Sequence, residues 1–343
     1  MATYLVTGGA GFIGSHLGES LMAGGHRVIA LDSFSDSYDY RVKIRNVQQD
    51  TCRENVAALS DKESALAELS RSLDSAQYRL ETVDIRDAHA LERIFQSERI
   101  DAVVHLAALP GVRASIEQPL LFEDVNVRGT LLLLETMKKY GVRKWVCASS
   151  SSVYGNNTKV PFSESDSVDS PISLYAATKK SNELMGYTYH HLYGIDSIML
   201  RFFTVYGERQ RPDLAIHKFA RLIDQGKEIP FYGDGSTKRD YTYIGDIVSG
   251  IRGALSYVEN NESVYEVVNL GNSRMVSLNE MVACLENELG KKAVLNRLPA
   301  QPGDMTMTFA DISKAKRLIG YEPRTRFEEG IRNFARWYGG NLS

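Results

Sequence analysis

Tyr175 and Lys179 lie four residues apart in the segment LYAATKKSNEL, so on a helix both face the same side. A tyrosine in water titrates at about 10 and is a poor base at neutral pH. An ammonium group one turn away favours the phenolate, which makes the pair a candidate for taking a proton from a hydroxyl. The serine run of ASSSSVYG (148–155) stands at the end of the apolar run KWVCASS (144–150). Strand ends of this kind are where parallel sheets carry their chemistry.

A second site lies near the N-terminus. Gly8, Gly11 and Gly14 fall in TGGAGFIGSH, between the apolar run TYLVTG and the helical run SHLGESLMAGG. Glycines at this spacing permit a tight turn, and with Phe12 and Ile13 they open a helix whose N-terminus stabilises a pyrophosphate. Asp32 closes the next strand, HRVIALD, at the separation expected of an acid that accepts hydrogen bonds from both hydroxyls of a ribose. Strand, turn, helix, strand and acid together indicate a dinucleotide. A carboxylate at 32 repels a 2′-phosphate, and no Lys or Arg follows in SFSDSYDY before Arg41, so NAD is expected over NADP. Asp84 and Ile85 end another strand and are expected to border the adenine.

Both sites need a sheet to position them. Short apolar runs alternate with helical ones through VVHLAA (103–108), a helix around 127–140, KWVCASS, a helix at about 175–193 and the strand SIMLRFF (197–203). This is the α/β pattern of a doubly wound (Rossmann) parallel sheet covered on both faces. After Thr204 the segments shorten and gain Gly, Pro and Arg, as in GERQRPD and FYGDGSTKRD. The expected division is a dinucleotide-binding domain at 1–204 and 241–272, with a smaller α/β C-terminal substrate-binding domain at 205–240 and 273–343. The helix from about 245 and the strand YEVVNLG (265–271) are expected to return to the main sheet. Residues 42–78 read as one or two exposed helices without assignable chemistry.

The 343 residues are 43% hydrophobic and 24% charged, which suits a soluble globular protein with a sizeable core. A net charge of −3 offers no electrostatic case for nucleic acid or an anionic membrane, so a bound anion must be held by local donors. No apolar stretch approaches the roughly 20 residues of a membrane span. The N-terminus does not read as a secretory signal, because glycines interrupt its apolar run at once. Cys52, Cys147 and Cys284 are far apart and lack metal-ligand spacing, so no metal is expected and a reducing cytoplasm fits.

The motifs TGGAGFIG, HLAA (105–108), SSSSVYG (149–155), YAATK (175–179), RFFTVYG (201–207), KRDYTYIGD (238–246) and QPGD (301–304) occur in order along nearly the whole chain. Together they resemble the extended short-chain dehydrogenase/reductases, and within them the nucleotide-sugar epimerases. The resemblance implies that Ser150 bridges the sugar 4-OH and the tyrosine, that Tyr175 is the base, and that Lys179 holds the nicotinamide ribose. It also implies cofactor contacts at Leu106, Ala107 and Ala108, and a nicotinamide pocket lined by Asn126, Phe202 and Phe203. Arg211 and Arg239 resemble the family's diphosphate-binding arginines, whose forked donors suit phosphate oxygens. Asp304 resembles the residue that contacts the nucleotide ribose, although Gln301 replaces the arginine of many galactose epimerases. A homodimer through the helices near 119–140 and 175–193 is implied as well.

Family 4,6-dehydratases carry an Asp-Glu pair just after the catalytic hydroxyl, and the decarboxylases that form UDP-xylose carry a Glu in the same loop. Ser151 and Ser152 stand there in this chain, which favours plain oxidation and re-reduction, that is, C4 epimerisation through a 4-keto sugar. Thr204 stands where UDP-glucose 4-epimerases usually have Asn. With the serine run, GVR (111–113) and RPDLA (211–215), it resembles UDP-glucuronate 4-epimerases. Thr204, Ser151 and backbone amides would then hold the sugar carboxylate, with Arg113 adding positive charge nearby. His217 reads as a helix-face residue. The expected activity is NAD-dependent conversion of UDP-glucuronate to UDP-galacturonate. An epimerase for UDP-glucose and UDP-galactose, a UDP-glucuronate decarboxylase and an NAD-retaining binding protein without turnover remain as alternatives.

Overall fold

The computed structural model describes residues 1–48, 61–299 and 307–340. Its strands are β1 (Thr3–Thr7), β2 (Arg27–Leu31), β3 (Tyr78–Glu81), β4 (Ala102–His105), β5 (Lys144–Ser150), β6 (Asp196–Phe202), β7 (Thr204–Tyr206), β8 (Glu228–Tyr232), β9 (Lys238–Tyr243), β10 (Tyr265–Leu270), β11 (Met275–Ser277) and β12 (Val294–Leu298). Its helices are α1 (Phe12–Ala23), α2 (Tyr40–Gln48), α3 (Lys62–Leu73), α4 (Ala88–Ser97), α5 (Val112–Glu117), α6 (Pro119–Glu123), α7 (Gly129–Tyr140), α8 (Leu174–Tyr193), α9 (Ala215–Asp224), α10 (Ile244–Asn260), α11 (Leu278–Leu289), α12 (Ser313–Ile319) and α13 (Phe327–Gly340).

Seven strands form one sheet in the order β10-β6-β5-β4-β1-β2-β3. Leu5 of β1 lies opposite Ile29 on one side and Val103 on the other, and the pairings from β3 through β2, β1 and β4 to β5 are parallel. β4 and β6 are buried along their whole length, which is why their centres, AVV and IML, read as apolar runs rather than alternating ones. The chain winds outward from β1 in both directions. The carboxyl ends of β1 and β4 therefore flank the switch point at which doubly wound sheets bind their ligands.

The chain divides into two compact units. The first comprises Met1–Gly155, Ser167–Arg201 and Ile251–Val268, and the second Asn156–Asp166, Phe202–Gly250 and Asn269–Ser343. Segments 156–166, 202–204, 241–250 and 269–272, expected with the first unit, are grouped with the second. Their backbone pairing explains this: β9 pairs with β7 and β11, and Phe162 N–H donates to Phe309 O. In the first unit, Trp145, Leu133, Leu134, Met137 and Met199 form the centre of the core. Gly186 brings α8 against it, because a Cβ there would stand 1.9 Å from Met199 Cε and 3.0 Å from Trp145 Cζ3. The second unit packs a three-stranded sheet, β11-β9-β7, and the parallel pair β12-β8 around Tyr206, Phe231, Ile331 and Phe334.

Residues expected as exposed helices between β2 and β3 form α2 and α3, each with a buried stripe that includes Ile44 and Leu69. Among the described residues no helix is long and apolar enough to cross a membrane.

Candidate active site

The glycine turn joins β1 to α1. Gly8 has φ +70°, Gly11 N–H donates to Gly8 O at 3.0 Å, and a Cβ on Gly14 would stand 2.2 Å from that same oxygen. No side chain caps α1, and its first turn holds no acid. The first N–H groups of the helix and its positive end are thus available to an anion. A dinucleotide pyrophosphate fits this cradle.

Asp32 follows β2 and is almost fully buried. Its Oδ1 accepts from Phe34 N–H at 2.8 Å and its Oδ2 from Ala10 N–H at 3.3 Å, which ties the acid to the glycine turn. Lys43 of α2, also buried, donates from Nζ to Asp32 Oδ1 at 2.8 Å. Sequence spacing pointed to Arg41 as the first basic residue, but Arg41 pairs with Asp39 at 3.6 Å. Lys43 therefore brings chemistry to a segment that read as having none. The signal available for it was its place on the buried stripe of α2, beside Ile44.

Asp84 and Ile85, expected to border the adenine, follow β3. Arg86 binds both oxygens of Asp84, at 3.0 and 2.7 Å, and reaches Asp124 Oδ2 at 2.7 Å. Hydrogen bonding to Arg86 holds the Asp84 carboxyl below the usual range. Ile85 is buried beside it.

At the end of β4 lies a directed chain of hydrogen bonds. Ala107 N–H donates to Thr7 Oγ1 at 3.2 Å, Thr7 Oγ1 lies 2.7 Å from His105 Nδ1, and His105 Nε2 lies 3.0 Å from Thr130 Oγ1. Thr130 in turn donates to Asn126 O at 2.6 Å. Thr130 spends its one proton on Asn126 O, so it accepts from Nε2–H. Burial, reinforced by the charge of Lys179, pushes His105 down to about 3, which leaves the imidazole neutral with its proton on Nε2. Nδ1 is then an acceptor, and Thr7 donates to it.

Asn126, expected to line the nicotinamide pocket, is fully buried in the π-helical segment Asp124–Arg128 that leads into α7. Its Oδ1 accepts from Leu109 N–H at 2.7 Å, and its Nδ2 donates to Leu109 O at 3.0 Å and Thr178 Oγ1 at 3.1 Å. Asn126 thus clamps the loop after HLAA to α8, between Tyr175 and Lys179.

α8 starts at Ser173, whose side chain accepts from Ala176 N–H at 3.1 Å. Lys179 is buried and donates from Nζ to Ala148 O at 2.9 Å. Tyr175 is half-buried, its ring edge-on to Phe122 at 6.5 Å between centroids. Ser150 ends β5 and accepts from Ser152 N–H at 3.1 Å, which opens the 3₁₀ turn Ser151–Tyr154. That turn contains no carboxylate. Arg113 is exposed on α5.

In the second unit, Thr204 starts β7 and is half-buried, with Phe202 and Phe203 buried just before it. Arg211 is oriented by Asp213, Nε to Oδ1 at 3.0 Å and a second nitrogen to Oδ2 at 2.5 Å. Arg239 is half-buried on β9. Asp304, with the rest of QPGD, lies outside the described residues. His217 packs among Phe334, Trp337 and Tyr338 with Nδ1 2.6 Å from Gln210 O, and burial pushes it down. Among the described residues no cluster of three His, Cys, Asp or Glu side chains is arranged to hold a metal.

Residues 5–334 match the family described as GDP-mannose 4,6 dehydratase. The chain belongs to this family of extended short-chain dehydrogenase/reductases. Among family members, a UDP-glucuronate 4-epimerase of Thermodesulfobacterium geofontis is 43% identical over 343 residues, covering 100% of this chain and 98% of that relative. The crystal structure of UDP-glucuronic acid 4-epimerase from Bacillus cereus in complex with UDP-glucuronic acid and NAD is similar with a TM-score of 0.85 and 34% identity, covering 99% of each chain. A UDP-glucose 4-epimerase of Thermotoga maritima with UDP-glucose is similar at a TM-score of 0.82 and 30% identity, covering 99% of this chain and 100% of that one.

Proposed function

We propose that this chain is an NAD-dependent C4 epimerase of UDP-sugars that interconverts UDP-glucuronate and UDP-galacturonate. The observation that carries the reading is the set of groups around β5. Ser150 ends the strand, Lys179 of α8 is anchored on it, Tyr175 lies one turn before Lys179, and the following turn brings no acid. Relatives named as UDP-glucuronate 4-epimerases, and the Bacillus cereus enzyme with UDP-glucuronic acid and NAD, support the substrate and the cofactor.

Bound at the glycine turn, NAD supplies a reversible acceptor for the hydrogen at C4. Tyr175 takes the proton of the 4-OH while Ser150 orients that hydroxyl. Lys179 holds the nicotinamide ribose and adds positive charge beside the phenol. Arg211 and Arg239 hold the diphosphate as the 4-keto sugar turns over, and Asp304 engages the nucleotide ribose. Thr204 and Ser151 take the carboxylate, with Arg113 nearby. The uronate intermediate is a β-keto acid, and fixing its carboxylate out of line with the ketone π system slows loss of carbon dioxide.

Incubation with UDP-glucuronate and, separately, UDP-glucose, followed by chromatography, tests the reading. UDP-galacturonate is the expected product. UDP-xylose would indicate decarboxylation, conversion of UDP-glucose alone the neutral-sugar epimerase, and no product a binding protein. A reaction that regenerates its cofactor at each turnover favours tight retention, so the purified protein should release NAD on denaturation. A supernatant without nicotinamide would count against retention.

The proposal includes a homodimer in the cytoplasm. Leu120, Leu184, Tyr187 and Leu192 are 83%, 57%, 54% and 58% exposed on α6 and α8, and large apolar side chains left in water favour association. Light scattering should give twice the 38.3 kDa chain mass, and a monomer mass at assay concentration would remove the dimer. Cys147 and Cys284 are free thiols, and burial pushes Cys147 up to about 12, so it is inert in a reducing compartment.

A further inference from the structure

An ion pair with almost no solvent exposure lies beneath the proposed catalytic groups, and the chemistry described so far does not use it. Arg201 of β6 donates to both oxygens of Glu183 of α8, Nε to Oε1 at 2.8 Å and a terminal nitrogen to Oε2 at 2.9 Å. Ser149 adds a third bond, Oγ to Glu183 Oε1 at 2.7 Å. The Arg201 guanidinium also lies over the Tyr154 ring, 4.9 Å from its centroid, at the end of the turn that begins with Ser151. Tyr265 OH donates to the Glu183 carbonyl at 2.8 Å, and Lys180 Nζ stands 3.6 Å from Glu183 Oε2.

Stability does not account for such a pair. Removing two charges from water is costly, and well-packed apolar replacements of buried pairs are often neutral or stabilising. A bidentate fork does supply direction, because both partners are held in one plane at one distance. Here the direction is set between two elements. Ala148 O receives Lys179 Nζ at 2.9 Å, and the next residue of β5, Ser149, reaches Glu183 one helical turn further on. Two bonds at successive strand residues, to successive turns of α8, fix both the slide and the rotation of the helix along the strand. The residue after them is Ser150, and the turn before Lys179 carries Tyr175.

We infer that Glu183 and Arg201, acting through Ser149, are positioning residues that set Ser150 against Tyr175 for proton transfer. The inference rests on the proposed epimerase reading. Ser149→Ala removes the strap while leaving the ion pair whole, so no buried charge is orphaned. In this variant kcat should fall by about tenfold, since displacement of a reacting group by a fraction of an ångström suffices for such a loss. KM for UDP-glucuronate should stay within about twofold, because the groups that hold the diphosphate are untouched. Ser149→Thr, which keeps the hydroxyl, should restore kcat. The paired variant Glu183→Leu with Arg201→Met should fold with a Tm near that of the wild type and show the same selective loss in kcat. Wild-type kcat in Ser149→Ala, a loss that falls on KM instead, or full kcat in a folded paired variant would each overturn the inference. If the paired variant fails to fold, Ser149→Ala decides alone. A wild-type enzyme inactive on both UDP-glucuronate and UDP-glucose would count against the epimerase reading. The strap is then judged by the crystal structure of Ser149→Ala, in which an unmoved Ser150 Oγ would overturn it.

Discussion

Tyr175→Phe should reduce turnover of UDP-glucuronate by about 10²-fold or more, the scale of losing a positioned base, and leave NAD in the purified protein. The substitution removes one hydroxyl and little else. The ring contact with Phe122 is a matter of shape, and the bond that Tyr175 offers to its own helix, from Thr178 Oγ1 at 2.8 Å, is made by its backbone carbonyl. α8 should therefore keep its cap at Ser173 and its anchor from Lys179 to β5. The measurement is kcat for the variant beside the NAD released on denaturation. Full turnover across neutral pH would remove Tyr175 from the role of base, and loss of NAD together with activity would mean a binding defect.

A second large effect is expected in substrate choice. A carboxylate entering a partly dry pocket loses hydration and must recover it from hydroxyl or charged donors. A pocket built to do this leaves those donors unpaired when UDP-glucose brings a hydroxymethyl group instead. Sites that hydrogen-bond a specific group reject analogues lacking it by about 10⁴-fold, whereas purely apolar pockets manage about 10²-fold. kcat/KM for UDP-glucuronate should accordingly exceed that for UDP-glucose by several powers of ten. Thr204→Val keeps the shape and removes the hydroxyl, so it should lower the uronate value more than any residual glucose value. Equal wild-type values for the two sugars would sink the uronate assignment and leave the neutral-sugar epimerase standing.

The parts of the site that were legible in the sequence depend on local spacing. The glycine turn, the four-residue interval of Tyr175 and Lys179 and the serine run each lie within a dozen residues, and each side chain is found on the element its pattern implies. Parallel strands buried on both faces give apolar runs that survive without tertiary context. What was hidden depends on pairs far apart in the chain. Asn126 was singled out by resemblance alone; that it bonds the backbone groups of Leu109 and the hydroxyl of Thr178, 52 residues away, no local pattern announces. Lys43 is only eleven positions from Asp32, but the polar loop between them carries no periodicity that would mark the pairing. Thr204 and Tyr241–Tyr243 fall in the second compact unit, not the first as expected, because they belong to a small sheet whose pairing no periodicity announces. Arg201 did leave a trace, a charge inside the otherwise apolar SIMLRFF, and Glu183 continues the stripe of Tyr175 and Lys179 by one more turn.

The chain of hydrogen bonds from Ala107 through Thr7, His105 and Thr130 to Asn126 has two backbone amide groups for its ends. Amides neither release nor capture protons near neutral pH, so nothing can enter the chain at one end and leave at the other. It is a strut with a fixed polarity, closed to proton traffic, beside a site whose work is to move a proton. That arrangement suits a reaction whose ledger of protons is balanced within each cycle. An epimerase that takes the 4-OH proton returns it when the alcohol is remade, and has no need of an outlet to bulk water. In the proposed mechanism Tyr175 keeps the proton for the lifetime of the ketone, and a neutral His105 sealed into the strut offers it no alternative destination.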